Sequence, residues 1–135
     1  MVCPNVRDIP VARAAELIGI TRGHLDLIIH KAGPTADLVS TKDKNRRFFS
    51  KRDIAVLKIA HVFERFGMTW LFAIADALEV VDTNPRPDEH VIVTCRRSLP
   101  RVRRKLNDRE VNRLPVEEAT LIVPAGRIVA DLTAA

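Results

Sequence analysis

Cationic side chains are concentrated in one short segment of this 135-residue chain. Residues 42–52 contain six lysines or arginines, a single carboxylate and two of the chain's six aromatic side chains. Lysine and arginine bind phosphate by charge and by hydrogen bonding, and on a nucleic acid each neutralised phosphate also releases counterions. A buried strand cannot hold six unpaired cations, so the segment must expose its charges and bury its aromatic end. The cations are Lys42, Lys44, Arg46, Arg47, Lys51 and Arg52.

The chain as a whole is basic, with a net charge of +5 and a pI of about 9.8, and this favours an anionic partner. A second cluster at residues 96–113 holds eight cations against two carboxylates. It extends a nucleic-acid surface, contacts a protein, or forms the solvated face of an amphipathic helix, and we favour the last. For the first segment the alternatives are a phosphate-binding turn, which we favour, and a loop whose charges are only solvated.

Residue types that carry catalysis and metal binding are sparse and scattered. No CxxC, GxGxxG, P-loop or HExxH sequence occurs, and no histidine has an acidic or cysteine partner at motif spacing. Tyrosine is absent, which excludes a tyrosine recombinase. We therefore expect no catalysis, no metal site and no cofactor. The residues considered are Cys3, Cys95, His24, His30, His61 and His90.

Signals for a membrane or for secretion are also missing from the sequence. No apolar run approaches the roughly 18 residues that span a bilayer, and the N-terminal MVCPNVRD lacks the apolar block of a signal peptide. We expect a cytoplasmic, nucleoid-associated protein with no membrane partner.

Two short helices are predicted near the N-terminus. An apolar stripe with helical spacing starts at Val11 and is closed by Gly19, and Thr21 is placed to cap a second helix. Two helices joined by residues 19–21 have the dimensions of a helix-turn-helix. Their buried faces are expected at Ala14, Ala15, Ile18, Leu25, Ile28 and Ile29.

A β-hairpin and two further helices are predicted to follow. The charged turn at residues 42–45 forms the hairpin tip, and one of Phe48 and Phe49 anchors its base in the core. Ser50 to Asp53 resembles a capping box and starts a third helix that runs to about residue 66. The buried side chains of that helix are expected to be Val56, Ile59, Ala60 and Phe63, and Thr69 can cap a fourth helix through residue 78.

These elements resemble the winged-helix DNA-binding domain of MerR-type regulators and the related excisionase-like proteins. The resemblance rests on VARAAELIGITRGHL and RRFFSKRDIAVLKIAHVFERFGMT and covers about residues 9–79. In that family an Arg–x–aromatic–Ser segment joins the wing to the third helix, and residues 47–50 match it. Asn45 stands where a wing glycine is common, and because Asn tolerates left-handed backbone the turn is still expected to form. Pro85 and Pro87 interrupt the chain where the family's long dimerisation helix would run.

The resemblance implies that the second helix reads bases in the major groove while the hairpin contacts phosphates or the minor groove. Arg22 is the expected guanine contact, and Gly23 allows close approach of the backbone. Asp26 either accepts a hydrogen bond from a base amine or pairs with Arg22 at i,i+4, and we favour pairing. The expected DNA-binding residues are Thr21, Arg22, Gly23, His24 and Asp26, with Leu27 and His30 as further candidates, and Lys42, Lys44, Asn45, Arg46 and Arg47 in the hairpin.

The C-terminal residues 90–135 predict a small β-α-β-β module that follows a linker at residues 83–89. Its expected elements are a strand at 90–95, a helix opened by Ser98, Leu99 and Pro100 with Leu99, Val102 and Leu106 as its apolar stripe, and a hairpin of 120–123 and 127–132 with Pro124 in the turn. So small a unit cannot bury a core alone. It must pack on the fourth helix, where Leu71 and Phe72 supply apolar surface, on a second copy of itself, or on both, and we favour a homodimer.

The predicted fold class is α+β, with a four-helix winged helix-turn-helix domain at residues 1–82 followed by the module. The leading function is a sequence-specific transcriptional regulator that binds double-stranded DNA as a homodimer, with RNA polymerase as a possible protein partner. The first alternative is an excisionase-like architectural DNA-binding protein that acts with a recombinase. A second alternative is a protein-interaction module that does not bind DNA, and the response of binding to salt distinguishes it from the others.

Overall fold

The computed structural model describes residues 3–96, 99–113 and 120–135, with the backbone alone for 94–96 and 99–104. These residues form helices and two small three-stranded sheets. The chain is therefore an α+β protein, as the sequence predicts.

The first two helices begin where the sequence predicts, and the first ends at the predicted glycine. α1 (Val11–Ile18) ends at Gly19, which has a left-handed φ of +90° and donates its N–H to the carbonyl of Ala15 at 2.9 Å. α2 (Arg22–Ala32) begins after Thr21, whose hydroxyl accepts the N–H of His24 at 3.1 Å. The expected buried face is confirmed for Ala14, Ala15, Ile18, Leu25 and Ile28, while Ile29 is half-buried.

A small antiparallel sheet follows α2 and carries the charged hairpin. A 3-10 helix (Gly33–Leu38) leads from α2 into β2 (Thr41–Asp43), which pairs with β3 (Arg46–Phe49). β1 (Ile9–Pro10) pairs with the other edge of β3, so the strand order is β1-β3-β2. The hairpin is therefore joined to the start of α1 as well as to the end of α2.

The hairpin tip and base both agree with the sequence analysis. Lys44 and Asn45 connect the strands with φ values of +46° and +65°, the left-handed backbone of a type I′ turn. Phe49 is fully buried and Phe48 half-buried, so Phe49 is the aromatic anchor.

α3 (Lys51–Arg65) is the central helix. Ser50 and Asp53 form the predicted capping box: the Ser50 hydroxyl accepts the N–H of Asp53 at 3.0 Å, and the Asp53 carboxylate accepts the N–H of Ser50 at 2.8 Å. α4 (Trp70–Asp82) packs against α3 and runs past the expected end at residue 78. α3 is buried over more of its circumference than one apolar stripe requires, since Ile54, Ala55 and Leu57 are buried together with the predicted Val56, Ile59, Ala60 and Phe63.

The C-terminal segment has the element order β-β-α-β-α, so the predicted β-α-β-β order is wrong. It comprises β4 (Glu89–Arg96), β5 (Leu99–Asn107), the short α5 (Asp108–Val111), β6 (Thr120–Val123) and α6 (Ala125–Ala134). The three strands form an antiparallel sheet in the order β5-β4-β6.

The segment predicted as a helix from Leu99 and Pro100 is instead strand β5. Its pairing with β4 extends from Leu99 to Asn107, and this pairing overrides the helix-like spacing of its apolar residues. Pro100 is tolerated because β5 lies at the edge of the sheet. The expected first residue of that helix, Ser98, lies outside the described residues.

The segment predicted as a strand at residues 127–132 belongs to helix α6. Ala125, Val129 and Leu132 are buried on one face at helical spacing. Pro124 immediately precedes the helix rather than turning a hairpin.

α6 packs on α3, and so it covers the second apolar side of that helix. Its first turn lies against the connection between α4 and β4, where a Cβ added at Gly126 would stand 1.6 Å from the carbonyl oxygen of Arg86. One cluster of buried residues extends from α1 through α3 and α4 to β4, β6 and α6. The described part of the C-terminal segment does not cover the surface expected for it on α4, because Leu71 is 54% exposed and Phe72 66% exposed.

Candidate nucleic-acid interface

α2 and the hairpin line the same open groove, a concavity of about 490 Å³. Apolar groups that include Pro10, Val11, Leu25 and Ile29 contribute to its walls. Six of the ten residues predicted to bind DNA line this groove: Arg22, Asp26, Lys42, Asn45, Arg46 and Arg47. The helix and the cationic turn therefore face the same side of the protein.

The solvent face of α2 is determined by its helical period. Leu25, Ile28 and Ala32 are buried against the body. Side chains about 180° away around the helix must then face solvent. The exposed residues of this face are Arg22, Gly23, Asp26, Leu27 and His30.

Gly23 occupies the middle of this face and has no packing role in the protein. A Cβ built at Gly23 would meet nothing within 4 Å. Glycine inside a helix costs roughly 0.5–1 kcal/mol relative to alanine. Folding therefore does not require the glycine, and its effect is to leave the outer surface of α2 flat.

Arg22 and Asp26 do not form the ion pair that the sequence analysis favours. No ion pair joins them within the described parts of the chain, although both line the groove. The other interpretation of Asp26, an acceptor for a base amine such as N4 of cytosine, stays a prediction.

His24 points away from the groove. Its ring lies edge-on to that of His61 on α3, with centroids 5.2 Å apart, and His61 stacks on Trp70 at 6.1 Å. Burial lowers the pKa of His61 below its usual value, and the nearby His24 and Arg65 lower it further. His24 therefore joins α2 to α3 and α4, and it is not brought together with the residues that line the groove.

Three cations of the hairpin are exposed and unpaired. Lys42, Lys44 and Arg46 form no ion pair with any residue that the structure describes. Lys42 also lies directly opposite Arg47 across the two strands, and like charges in that position destabilise a hairpin. The arrangement is unfavourable for the isolated chain and favourable in contact with an anion.

The remaining cations of the segment form hydrogen bonds or ion pairs within the protein. Arg47 donates to the hydroxyl of Ser40 at 2.9 Å and forms an ion pair with Asp37 at 3.4 Å. Arg52 pairs with Asp82 of α4, and Lys51 donates to the backbone carbonyl of Ala135. The charge available to a ligand is thus concentrated on Lys42, Lys44 and Arg46.

Arg7 is a positioning residue that the sequence analysis does not identify. Its guanidinium donates to both carboxylate oxygens of the fully buried Asp53, at 2.9 and 3.3 Å, and to the hydroxyl of Thr41 at 2.9 Å. It also donates to the carbonyl of Leu38 at 3.0 Å. These bonds connect the start of α3 to the first strand of the hairpin and so fix the hairpin's direction.

The second basic cluster is not a helical face. Residues 99–107 form β5, so the interpretation as an amphipathic helix is wrong. Lys105 forms an ion pair with Glu89 at 3.1 Å, while Arg109 and Arg113 are exposed. The backbone N–H of Arg86 lowers the pKa of the Glu89 carboxyl, with Lys105 as a further cause. The side chains of residues 94–104 lie outside the description.

No protein-family model matches the chain, and no curated protein matches it in sequence. In the described ranges, none of the helices has both the length and the apolarity needed to cross a bilayer. Those ranges also contain no group of three or more His, Cys, Asp or Glu side chains arranged to hold a metal ion.

Proposed function

We propose that this protein is a sequence-specific DNA-binding transcriptional regulator of the winged helix-turn-helix type. One observation carries the proposal: Arg22 and Asp26 on the exposed face of α2 line the same groove as the unpaired hairpin cations Lys42 and Arg46. A helix with donors and acceptors on its outer face suits the major groove of B-DNA, which is wide enough to admit it. Cations on an adjacent turn suit the phosphates that flank that groove.

In this proposal the two elements have separate tasks. Arg22 donates two hydrogen bonds to a guanine edge, and Asp26 accepts from a base amine next to it. Lys42, Lys44 and Arg46 bind phosphates and set the register of α2 without reading sequence. Arg7 acts through the hairpin and touches no DNA.

The protein acts as a homodimer in this proposal. β5 and β6 are the edge strands of the C-terminal sheet, and an unpaired strand edge can pair with a second copy. Two copies would then read half-sites about 10 base pairs apart or a multiple of that spacing.

Selection of bound duplexes from a random pool at about 50 mM salt tests the function, and footprinting with a mass measurement in solution tests the assembly. A short site with two-fold symmetry and a mass of two chains are expected. A long array of direct repeats would identify an architectural protein instead. Failure to bind any duplex at this ionic strength would refute the proposed function.

A further inference from the structure

Leu27 is an apolar side chain on an otherwise polar surface. It is 48% exposed, and it shares the outer face of α2 with Arg22, Gly23, Asp26 and His30. If this face enters a DNA groove, Leu27 enters with it. A leucine there can neither bind phosphate nor form a hydrogen bond with a base.

The surface of α2 is open one turn before Leu27. Side chains on a helix lean toward its N-terminus, and the residue on that side of Leu27 is Gly23, which carries no side chain. Nothing lies within 4 Å of the position that a Cβ of Gly23 would occupy. The flank of Leu27 is therefore uncovered, and a base edge can reach it across the flat surface of α2.

The major groove offers one apolar group to such a side chain, the C5-methyl of thymine. We infer that Leu27 is a specificity-determining residue that contacts a pyrimidine C5-methyl; this inference rests on the proposed function. Arg22 precedes Leu27 by five residues, which is about 7.5 Å along the helix axis. With α2 lying along the groove, the methyl belongs to a base about two steps from the guanine that Arg22 contacts, since base pairs are spaced by about 3.4 Å.

The inference extends to modified DNA. 5-Methylcytosine carries its methyl group on the same ring carbon as thymine. A contact that senses only the methyl therefore favours 5-methylcytosine over cytosine at this position.

The test uses the full chain and the duplex recovered by selection, with each thymine replaced in turn by deoxyuridine, which lacks only the methyl group. Burial of one methyl predicts an affinity loss of about fourfold for a substitution at one thymine of each half-site and no loss at the others. Leu27→Ala should bind the thymine and deoxyuridine duplexes equally. Leu38→Ala, a change at an exposed leucine that lies outside α2, should keep the discrimination.

Three results would overturn the inference. If all deoxyuridine duplexes bind as tightly as the parent, no methyl is read, although the proposed function stands. If Leu27→Ala still discriminates thymine from deoxyuridine, another residue reads the methyl. If no duplex binds at all, the proposed function fails and the inference falls with it.

Discussion

Removing two unpaired hairpin cations should reduce the salt dependence of DNA binding by a calculable amount. The double variant Lys42→Gln/Arg46→Gln removes two charges from the hairpin while keeping long, polar side chains. Neither residue forms an ion pair with a described residue, so the change breaks no ion pair that holds the described fold. Loss of Lys42 also removes the like-charge pair with Arg47. Stability should therefore be unchanged or slightly higher.

The magnitude follows from counterion release. Each phosphate contact contributes about 0.9 to the slope of log affinity against log salt, so the two cations contribute about 1.8. Extrapolated from 1 M salt to about 0.15 M, a slope change of 1.8 corresponds to about 30-fold in affinity for each protomer on the DNA. A dimer with both hairpins engaged would lose the square of that factor.

Fluorescence anisotropy with one labelled duplex, titrated across a range of salt concentrations, measures the slope. The matched control is Arg65→Gln/Arg127→Gln, which lowers the net charge by the same amount at two exposed residues that do not line the groove. The control should keep the wild-type slope. Equal flattening in both variants would mean that binding follows net charge alone, and an unchanged slope in the hairpin variant would refute the phosphate contacts.

The two glycines at 23 and 126 should respond oppositely to alanine. In urea unfolding, Gly23→Ala should keep the free energy of unfolding or raise it by up to about 1 kcal/mol. The same change should weaken duplex binding about tenfold, because the new methyl group intrudes between α2 and the bases. Undiminished binding would contradict a close approach of α2 to the bases at Gly23. Gly126→Ala should destabilise the fold by about 3 kcal/mol or more, because its Cβ would stand 1.6 Å from the Arg86 carbonyl oxygen, and a wild-type unfolding midpoint would show that α6 docks differently. Because the pKa of His61 is lowered from 6.5, the neutral ring is favoured in the folded state. The contribution of His61 to the free energy of unfolding should therefore be fully present above about pH 6.5 and be lost as the pH falls through the folded-state pKa. His61→Leu should flatten that dependence in urea titrations at several pH values, whereas His30→Leu, at an exposed position, should retain it.

Local signals in the N-terminal half were sufficient to predict its elements. Gly19, Thr21 and the Ser50–Asp53 box act through backbone groups within a few residues of themselves, so their effects can be read from the sequence. The left-handed turn at Asn45 is of the same kind. These elements bring Arg22 and the hairpin cations to one groove.

The errors in the C-terminal half arise where tertiary contacts decide between two periods. In β5 the spacing of the apolar residues fits a helix, but pairing with β4 sets the backbone. In α6 the spacing of Ala125, Val129 and Leu132 is helical, but the β-branched residues in the same segment favoured the prediction of a strand. The same limit applies to the candidate site. Arg7 and Asp53 are 46 residues apart in the chain, so no local sequence pattern predicts their contact.

Lys44 is the first of the two central residues of the hairpin's type I′ turn, and its φ is +46°. A left-handed backbone costs a residue of this type roughly 1–2 kcal/mol, and Asn, Asp or Gly would fit the turn better. At the hairpin tip, the residue that best fits the left-handed backbone is thus not the residue that supplies a positive charge. A screen for thermostability alone would therefore enrich replacements of Lys44, and the variants it recovers would carry one cation fewer at the hairpin tip.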